Sequence, residues 1–133
     1  MDAPMPKTYF APHLYIPNGV HYLEFYLKAF AAVELRRWMN EDGSYHVAEL
    51  AIAGNVFHVH EQVTHKQQYD PLSVQGTTVA IGLFVEDVDA IIQTALAAGG
   101  TLISPVQDYD YGYRQAMIRD PFGHQWLIEA IIS

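Results

Sequence analysis

The sequence predicts an α+β domain built from two copies of one βαβββ module. Two observations favour this fold class. A strand, a helix and further strands follow one another twice in the same order, and the two halves align at one constant offset. Leu14 aligns with Leu83 and Gly54 with Gly123, and the members of each pair are 69 residues apart. We therefore expect two modules that form an open, barrel-like concave sheet with the helices outside.

The chain of 133 residues has the length of one domain, so we expect a single domain over residues 1–133. The first module covers about residues 8–62 and the second about residues 77–131. Residues 63–76 between them are polar and contain proline and glycine, which predicts a linking loop.

In the first module, residues 8–17 alternate in polarity and predict a strand, and Asn18 is of a type that caps helices. Residues 19–31 then predict a helix whose apolar stripe is Val20, Leu23, Leu27 and Phe30. The strands that follow are predicted in VELRRWMN, SYHVAELAIA and VFHVHEQ.

In the second module, TTVAIGLFV predicts a strand, Asp87 caps a helix over VDAIIQTALAA, and Gly99 and Gly100 end that helix. The remaining strands are predicted in TLISPVQ, YRQAMIR and HQWLIEAII, and the last follows a tight DPFG turn at 120–123.

Composition excludes several classes of protein. The net charge is −8 with only seven Lys and Arg, which argues against binding to nucleic acid or to an anionic membrane. Cysteine is absent, so disulfides and thiolate metal sites are excluded. The amino-terminal residues lack the apolar core of a signal peptide, and no apolar run reaches the roughly 18 residues of a membrane span. We expect a soluble, cytoplasmic protein.

The stretch NVFHVHEQ, residues 55–62, places two imidazoles on one face of a strand. Successive side chains of a strand point to opposite faces, so His58 and His60 share one face while Phe57 and Val59 share the other. The second pair suits the apolar layer under a helix. The histidines are therefore candidates for a functional face.

Four stretches, FYLKAF, HVAELAIAG, LFVEDVDAI and YGYRQAMIRDPFGHQW, resemble the vicinal oxygen chelate superfamily. That superfamily contains glyoxalase I, extradiol dioxygenases and bleomycin-resistance proteins, and the chain looks most like its PhnB-like branch. The resemblance implies two βαβββ modules around a cavity and a small-molecule ligand or substrate. It also implies a homodimer, because relatives usually dimerise.

Metal-dependent members of that superfamily hold a divalent ion through the first and last strands of each module. The resemblance assigns these four positions to Ala11, His58, Ala80 and Leu127. Only His58 can coordinate a metal, whereas a catalytic divalent ion needs about three protein ligands. On this interpretation the standard metal site is lost.

A shifted metal site is the alternative. Two residues further along the same strand faces stand His13, His60, Gly82 and Glu129. Two histidines and a carboxylate suit a divalent metal such as Zn, Fe, Mn or Ni, and His58 could add a further ligand. Without a metal, the same side chains would line a hydrated cavity, and Glu129 would be solvated.

The stretch DYDYGYR resembles an aromatic segment of the same branch. Its tyrosines are expected to form an aromatic rim over the cavity, with Arg114 as an anchor for an anion; these tyrosines are Tyr109, Tyr111 and Tyr113. Alternatively the segment is a mobile loop and Arg114 pairs with Asp108 or Asp110. Glu49 is the candidate general base.

Two functions from different classes follow. The first is a protein that holds a small organic molecule in an aromatic, His-lined barrel cavity. The second is a metal-dependent isomerase, lyase or dioxygenase that uses the shifted site. The candidate ligand-binding residues are His13, Tyr15, His58, His60, Tyr109, Tyr111, Tyr113 and Arg114.

Overall fold

The structure is a computed structural model that describes residues 8–133. The first module contains β1 (His13–Ile16), α1 (Glu24–Phe30), β2 (Val33–Met39), β3 (Tyr45–Ile52) and β4 (Asn55–Glu61). The linker contains a short 3₁₀ turn (Thr64–Lys66) and α2 (Pro71–Val74). The second module contains β5 (Ala80–Phe84), α3 (Val88–Ala97), β6 (Thr101–Tyr109), β7 (Tyr113–Arg119) and β8 (Gln125–Ile131).

The two modules have the same sheet topology. The first sheet has the order β1-β4-β3-β2 and the second the order β5-β8-β7-β6. In each sheet the first and last strands of the module are parallel, and the other neighbours are antiparallel. The predicted α+β fold with two modules is confirmed, and the two sheets do not join into a closed barrel.

The start of the first helix differs from the prediction. The helix begins at Glu24 rather than near residue 19, and Leu23 occupies the N-cap position without a side-chain hydrogen bond. Asn18 does not cap the helix, because its side-chain amide donates to the carbonyl oxygen of Gln62, 3.3 Å away. The side chain that the local sequence predicts as a helix cap therefore forms a long-range hydrogen bond instead.

The buried stripe of α1 also differs. Phe25, Tyr26, Ala29 and Phe30 are buried, whereas Leu27 is 40% exposed. The helix meets apolar side chains from both modules, and so it buries a wider face than the single predicted stripe.

The linker is more ordered than a loop. The carboxylate of Asp70, which is fully buried, accepts hydrogen bonds from the backbone N–H and the hydroxyl of Ser73 and so caps α2. The predicted Asp87 cap of α3 is confirmed by a bond from the N–H of Ala90. Gly99 follows α3 with φ of +111°, a value that favours glycine.

The inner faces of both sheets share one hydrophobic core. Phe57 and Val59 from β4 and Trp126 and Ile128 from β8 are all buried, as strand alternation predicted. The ring of Tyr26 on α1 contacts both Phe57 and Trp126. Because one face of each sheet is covered in this way, the candidate histidines lie on the opposite, outward face.

A buried carboxylate joins the two modules. Asp120 Oδ2 accepts from the hydroxyl of Tyr26 at 2.6 Å and from the indole N–H of Trp126 at 3.0 Å. Oδ1 accepts from the backbone N–H groups of Phe122 and His124. Burial, and then the negative charge of Asp120, raise the pKa of Tyr26, so the phenol stays protonated and donates.

No helix within residues 8–133 combines the length and the apolar character that crossing a bilayer requires.

The substitution Tyr26→Phe tests the buried hydrogen bond between Tyr26 and Asp120 that joins the two modules. It should lower the free energy of unfolding by about 1–3 kcal/mol, since one donor to a buried carboxylate is removed. Urea denaturation measures this quantity. The matched control is Tyr22→Phe, because Tyr22 is 75% exposed and its change should be close to neutral. Equal stability of the two variants would contradict the role of the Tyr26 hydroxyl.

Candidate functional site

The first sheet carries a row of four polar side chains on its outward face. Arg36 lies opposite Glu49, Glu49 opposite His58, and His58 opposite His13, so that each of the four strands contributes one residue. We call these four residues the polar row. The row exists because residues directly opposite each other on neighbouring strands share a face of the sheet.

His58 occupies the centre of the polar row. Its ring stacks on the ring of His13 with centroids 4.4 Å apart, and its Nε2 lies 3.4 Å from Oε2 of Glu49. Arg36 Nε lies 4.0 Å from the other oxygen of Glu49. His58 and Glu49 are partly exposed, so both can meet a ligand from solvent.

Burial lowers the pKa of His13, and the nearby charges of His58 and His60 lower it further. His13 is therefore held in its neutral form at neutral pH, in which one ring nitrogen accepts a hydrogen bond or a proton. The carboxylate of Glu49 can fix the orientation of the His58 ring. The polar row thus offers both a donor and an acceptor to a bound molecule.

The next row of the same face contains Tyr15 and His60, which are also paired in register. Their rings are 5.6 Å apart, and Nδ1 of His60 lies 2.6 Å from the carbonyl oxygen of Glu61. The ring of His46 contacts that of His60 at 5.0 Å. Tyr15 adds an aromatic surface beside the polar row.

Glu129 lies in the second sheet, apart from these histidines. It is buried rather than solvated, and its Oε1 accepts a hydrogen bond from Nε2 of Gln115 at 2.8 Å. Its carboxylate lies over the Cα atom of Gly82, where an added Cβ would be 2.8 Å from Oε2. No hydrogen bond or ion pair within residues 8–133 connects Glu129 to His13 or His60.

The residues of one chain do not fit the divalent metal that the superfamily implies. Among residues 8–133, no three His, Asp or Glu side chains are placed to hold a metal ion. The three remaining standard positions, Ala11, Ala80 and Leu127, have no coordinating atom in their side chains. The chain does not bring His13, His60 and Glu129 together, because they belong to different sheets. We therefore derive no chemical step through a metal.

The three tyrosines of the predicted rim do come together. The rings of Tyr109 and Tyr111 stack at 5.2 Å, and Tyr111 and Tyr113 lie 5.7 Å apart. The hydroxyl of Tyr111 donates to the side-chain oxygen of Gln115. The aromatic group is thereby connected, through Gln115, to Glu129 in the second sheet.

Arg114 is not free to anchor an anion. Its guanidinium donates to Asp108 at 2.7 Å and makes a two-pronged contact with Asp89. These bonds raise the pKa of Arg114. The alternative pairing with Asp108 is the one that the structure contains. Asp89 was not foreseen, since it belongs to the first turn of α3 and is distant in sequence.

A cavity of about 820 Å³ is lined by residues of both modules, and none of the histidines belongs to its lining. It is lined mainly by apolar and aromatic residues of the stretch before β1, the turn before β4, and β5, among them Phe10, Phe57, Leu83 and Trp126. This cavity is aromatic but is not the predicted His-lined one. Its lining ends at Phe57 on β4, one residue before His58.

The internal repeat explains why this cavity is open. At the equivalent place in the other half, His124 is buried and its Nε2 lies 2.7 Å from the carbonyl oxygen of Tyr15. In the internal repeat, Asn55 is the counterpart of His124, and Phe84 is the counterpart of Tyr15. Both Asn55 and Phe84 line the cavity. Asn55 donates to the carbonyl of Ile52 in its own turn, and so within residues 8–133 it does not repeat the contact that His124 makes.

Arg36 and Gln115 are neighbours of the candidate residues that were not predicted from the sequence. Strand register determines both positions, and β2 contains an irregularity between Glu34 and Arg36 that shifts the pairing by one residue. Gln115 could have been recognised by alternation along β7, since it shares a face with Tyr113.

Comparison with known proteins gives relatives and a family. An uncharacterized protein of Mycobacterium tuberculosis strain H37Rv is 40% identical over 121 residues, which cover 89% of this chain and 71% of that protein. An uncharacterized protein of Mycobacterium bovis has the same identity over 121 residues, covering 89% of this chain and 80% of that protein.

Several solved structures share the fold. TioX from Micromonospora sp. ML1 has a TM-score of 0.69 at 24% identity, covering 95% of this chain and 98% of that one. The genomically encoded fosfomycin resistance protein FosX from Listeria monocytogenes has a TM-score of 0.68 at 17% identity, covering 95% and 94%. These identities establish the fold alone.

The sequence profile of the Glyoxalase/Bleomycin resistance protein/Dioxygenase superfamily matches residues 14–128, which span both modules. With this match and two βαβββ modules of identical topology, the chain belongs to the Glyoxalase/Bleomycin resistance protein/Dioxygenase superfamily.

Proposed function

We propose that the protein binds a small organic molecule on the outward face of its first sheet. The observation that carries this proposal is His58, which is held between the carboxylate of Glu49 and the ring of His13 while remaining partly exposed. We also propose that, within the superfamily, the protein belongs to the PhnB-like branch, which the stretches YGYRQAMIRDPFGHQW and LFVEDVDAI resemble.

The chemistry of the polar row indicates what kind of ligand suits it. Neutral His13 has one ring N–H that donates and one ring nitrogen that accepts, and neutral His58, whose Nε2 lies beside Glu49, offers its other ring nitrogen as an acceptor when Nε2 donates to that carboxylate. Tyr15 offers an aromatic contact beside them. A molecule with carbonyl or hydroxyl groups next to an apolar ring satisfies all three. Glu49 and His58 together could also move a proton on such a molecule.

The ligand-binding role of His58 can be tested with a fragment library of hydroxy and carbonyl compounds, followed through the imidazole NMR signals. Fragments that shift the His58 signals should also shift those of His13, since the rings stack. His58→Ala should weaken the binding of such a fragment about three- to tenfold, the value of one hydrogen bond.

His65→Ala is the matched control, because His65 is exposed and lies outside both sheets. This variant should bind the fragments as the natural chain does. If His58→Ala and His65→Ala bind every fragment equally well, the polar row is not the ligand site.

A metal-dependent isomerase, lyase or dioxygenase is the second function under consideration. It would need about three ligands at one ion, and the chain groups fewer within residues 8–133. We expect protein purified without a histidine tag, and then exposed to Zn, Fe, Mn or Ni and dialysed, to retain far less than one ion per chain. Elemental analysis by mass spectrometry measures this content.

One ion per chain that is lost in the variant His13→Ala/His60→Ala would contradict the metal-free proposal. It would support the metal-dependent enzyme instead, with further ligands supplied by a second copy of the chain.

We also infer a homodimer. Val33, Leu35 and Trp38 on the edge strand β2 are exposed apolar side chains beside unpaired backbone groups. Edge strands of this kind are usually covered. A second copy of the chain would cover them.

Light scattering after size-exclusion chromatography should give about twice the 15.0 kDa mass of one chain. Leu35→Glu should shift the mass toward one chain, because a charge would enter the apolar contact. Tyr22→Glu, at an exposed position on another surface, should leave the dimer intact. A monomer in the natural chain would contradict the inference.

A further inference from the structure

The carboxylate of Glu129 is buried, and only one of its two oxygens accepts a hydrogen bond within residues 8–133. The residue is 6% exposed, and its one hydrogen bond within residues 8–133 joins Oε1 to Gln115. No Lys, Arg or His of the described residues forms an ion pair with it. None of the fully enclosed side-chain oxygens of these residues lacks a partner. The second oxygen, Oε2, is therefore not fully enclosed, and it accepts no hydrogen bond from residues 8–133.

Gly82 makes room for Oε2 of Glu129. A Cβ atom at this position would lie 2.8 Å from Oε2, closer than real Cβ atoms approach. Any other residue would displace the carboxylate. The glycine thus allows the carboxylate to lie against β5 in this position.

Aromatic rings surround this approach. Phe84 is the register neighbour of Glu129 on β5 and is 56% exposed. Its ring meets that of Tyr113 edge to face at 5.9 Å, and Tyr111 lies 5.7 Å beyond Tyr113. Exposed rings beside a buried carboxylate are the components with which proteins recognise organic cations.

Charge favours the same class of ligand. The chain has a net charge of −8, and Arg114 at this end of the sheet is already neutralised by Asp89 and Asp108. The negative charge of Glu129 contributes to a raised pKa of Tyr111, after burial and Tyr109. An anion would be repelled here, whereas a cation would be attracted.

We propose that the second sheet contains a binding pocket for an organic cation, an alkylammonium group in particular. The pocket is formed by Glu129, Gln115, Gly82, Phe84 and Tyr113. We call this group the carboxylate pocket. Oε2 accepts a charge-assisted hydrogen bond from the ammonium, and the faces of Phe84 and Tyr113 contact its polarised CH and NH groups. A single carboxylate with one free oxygen does not suit a divalent metal, which needs several ligands.

The cavity between the modules offers room for the rest of such a molecule. It is lined by both Gly82 and Phe84, and its walls are mainly apolar. An amine that carries an apolar ring therefore fits better than a small hydrophilic one. This pocket lies in the second sheet and the polar row in the first, so either proposal can fail without the other.

The test compares phenethylammonium with its neutral analogue 2-phenylethanol by calorimetry and by amide NMR shifts. The ammonium compound should bind more tightly, and Glu129→Gln should weaken it about tenfold or more, because a charge-assisted bond is lost. The affinity of the alcohol should change little, since Gln preserves the size of the side chain and a contact with Gln115.

Two further variants keep the test decisive if Glu129→Gln folds poorly. Gly82→Ala places a methyl group against Oε2. It should weaken the binding of phenethylammonium and leave the binding of the alcohol nearly unchanged. Phe84→Leu keeps an apolar side chain but removes the ring, and it should weaken the binding of the ammonium compound about threefold. Amide spectra establish that each variant is folded.

Three results would overturn the proposal. The first is equal affinity of the ammonium compound and the alcohol, or no binding of either. The second is unchanged ammonium affinity in all folded variants. The third is that Glu129→Gln weakens the dimer while phenethylammonium does not compete with dimer formation. This result would show that a cation of a second copy is the partner of Oε2.

Discussion

The arrangement of the whole chain depends on one buried carboxylate. Asp120 is 3% exposed, and a charge at such a site is costly unless donors surround it. Four donors do so, and Tyr26 comes from the first module while Trp126 comes from the second. The contact holds α1 against β8, and one core then continues from one sheet into the other. Each sheet is left with a single polar face toward the outside.

The two outward faces have diverged although the modules are copies. At the offset of 69 residues, His13 corresponds to Gly82 and His60 to Glu129. The first face presents imidazoles, which exchange protons and hydrogen bonds. The second presents a carboxylate, and in front of it a glycine leaves space. The same topology therefore offers two different chemistries, one on each face.

Local periodicity predicted part of the buried set. Alternation placed Phe57 and Val59 in the helix-covered layer and His58 on the opposite face, and Asp87 was identified as a cap, because these features depend on neighbours in sequence. The exposure of Leu27 and the burial of Glu129 depend on tertiary contacts and were not predicted. The contact between Glu49 and His58 required the register of two strands, which sequence pattern does not contain. The resemblance implied a cavity around His58 and His60, and the cavity lined by Phe57 and Trp126 does not include these histidines in its lining. Their convergence with Glu129 was inferred from the two-module topology, and the separation of the sheets prevents it in one chain.

We propose that each ligand is held through a side chain on the outward face of a sheet, Glu129 in the second sheet and His58 in the first. The most direct measurement is a crystal structure of the protein grown with phenethylammonium and with a fragment that shifts the His58 signals. We expect the ammonium nitrogen to lie within hydrogen-bond distance of Oε2 of Glu129 and the fragment to lie against His58. Both molecules buried against Phe57 and Trp126, with His58 and Glu129 untouched, would contradict it.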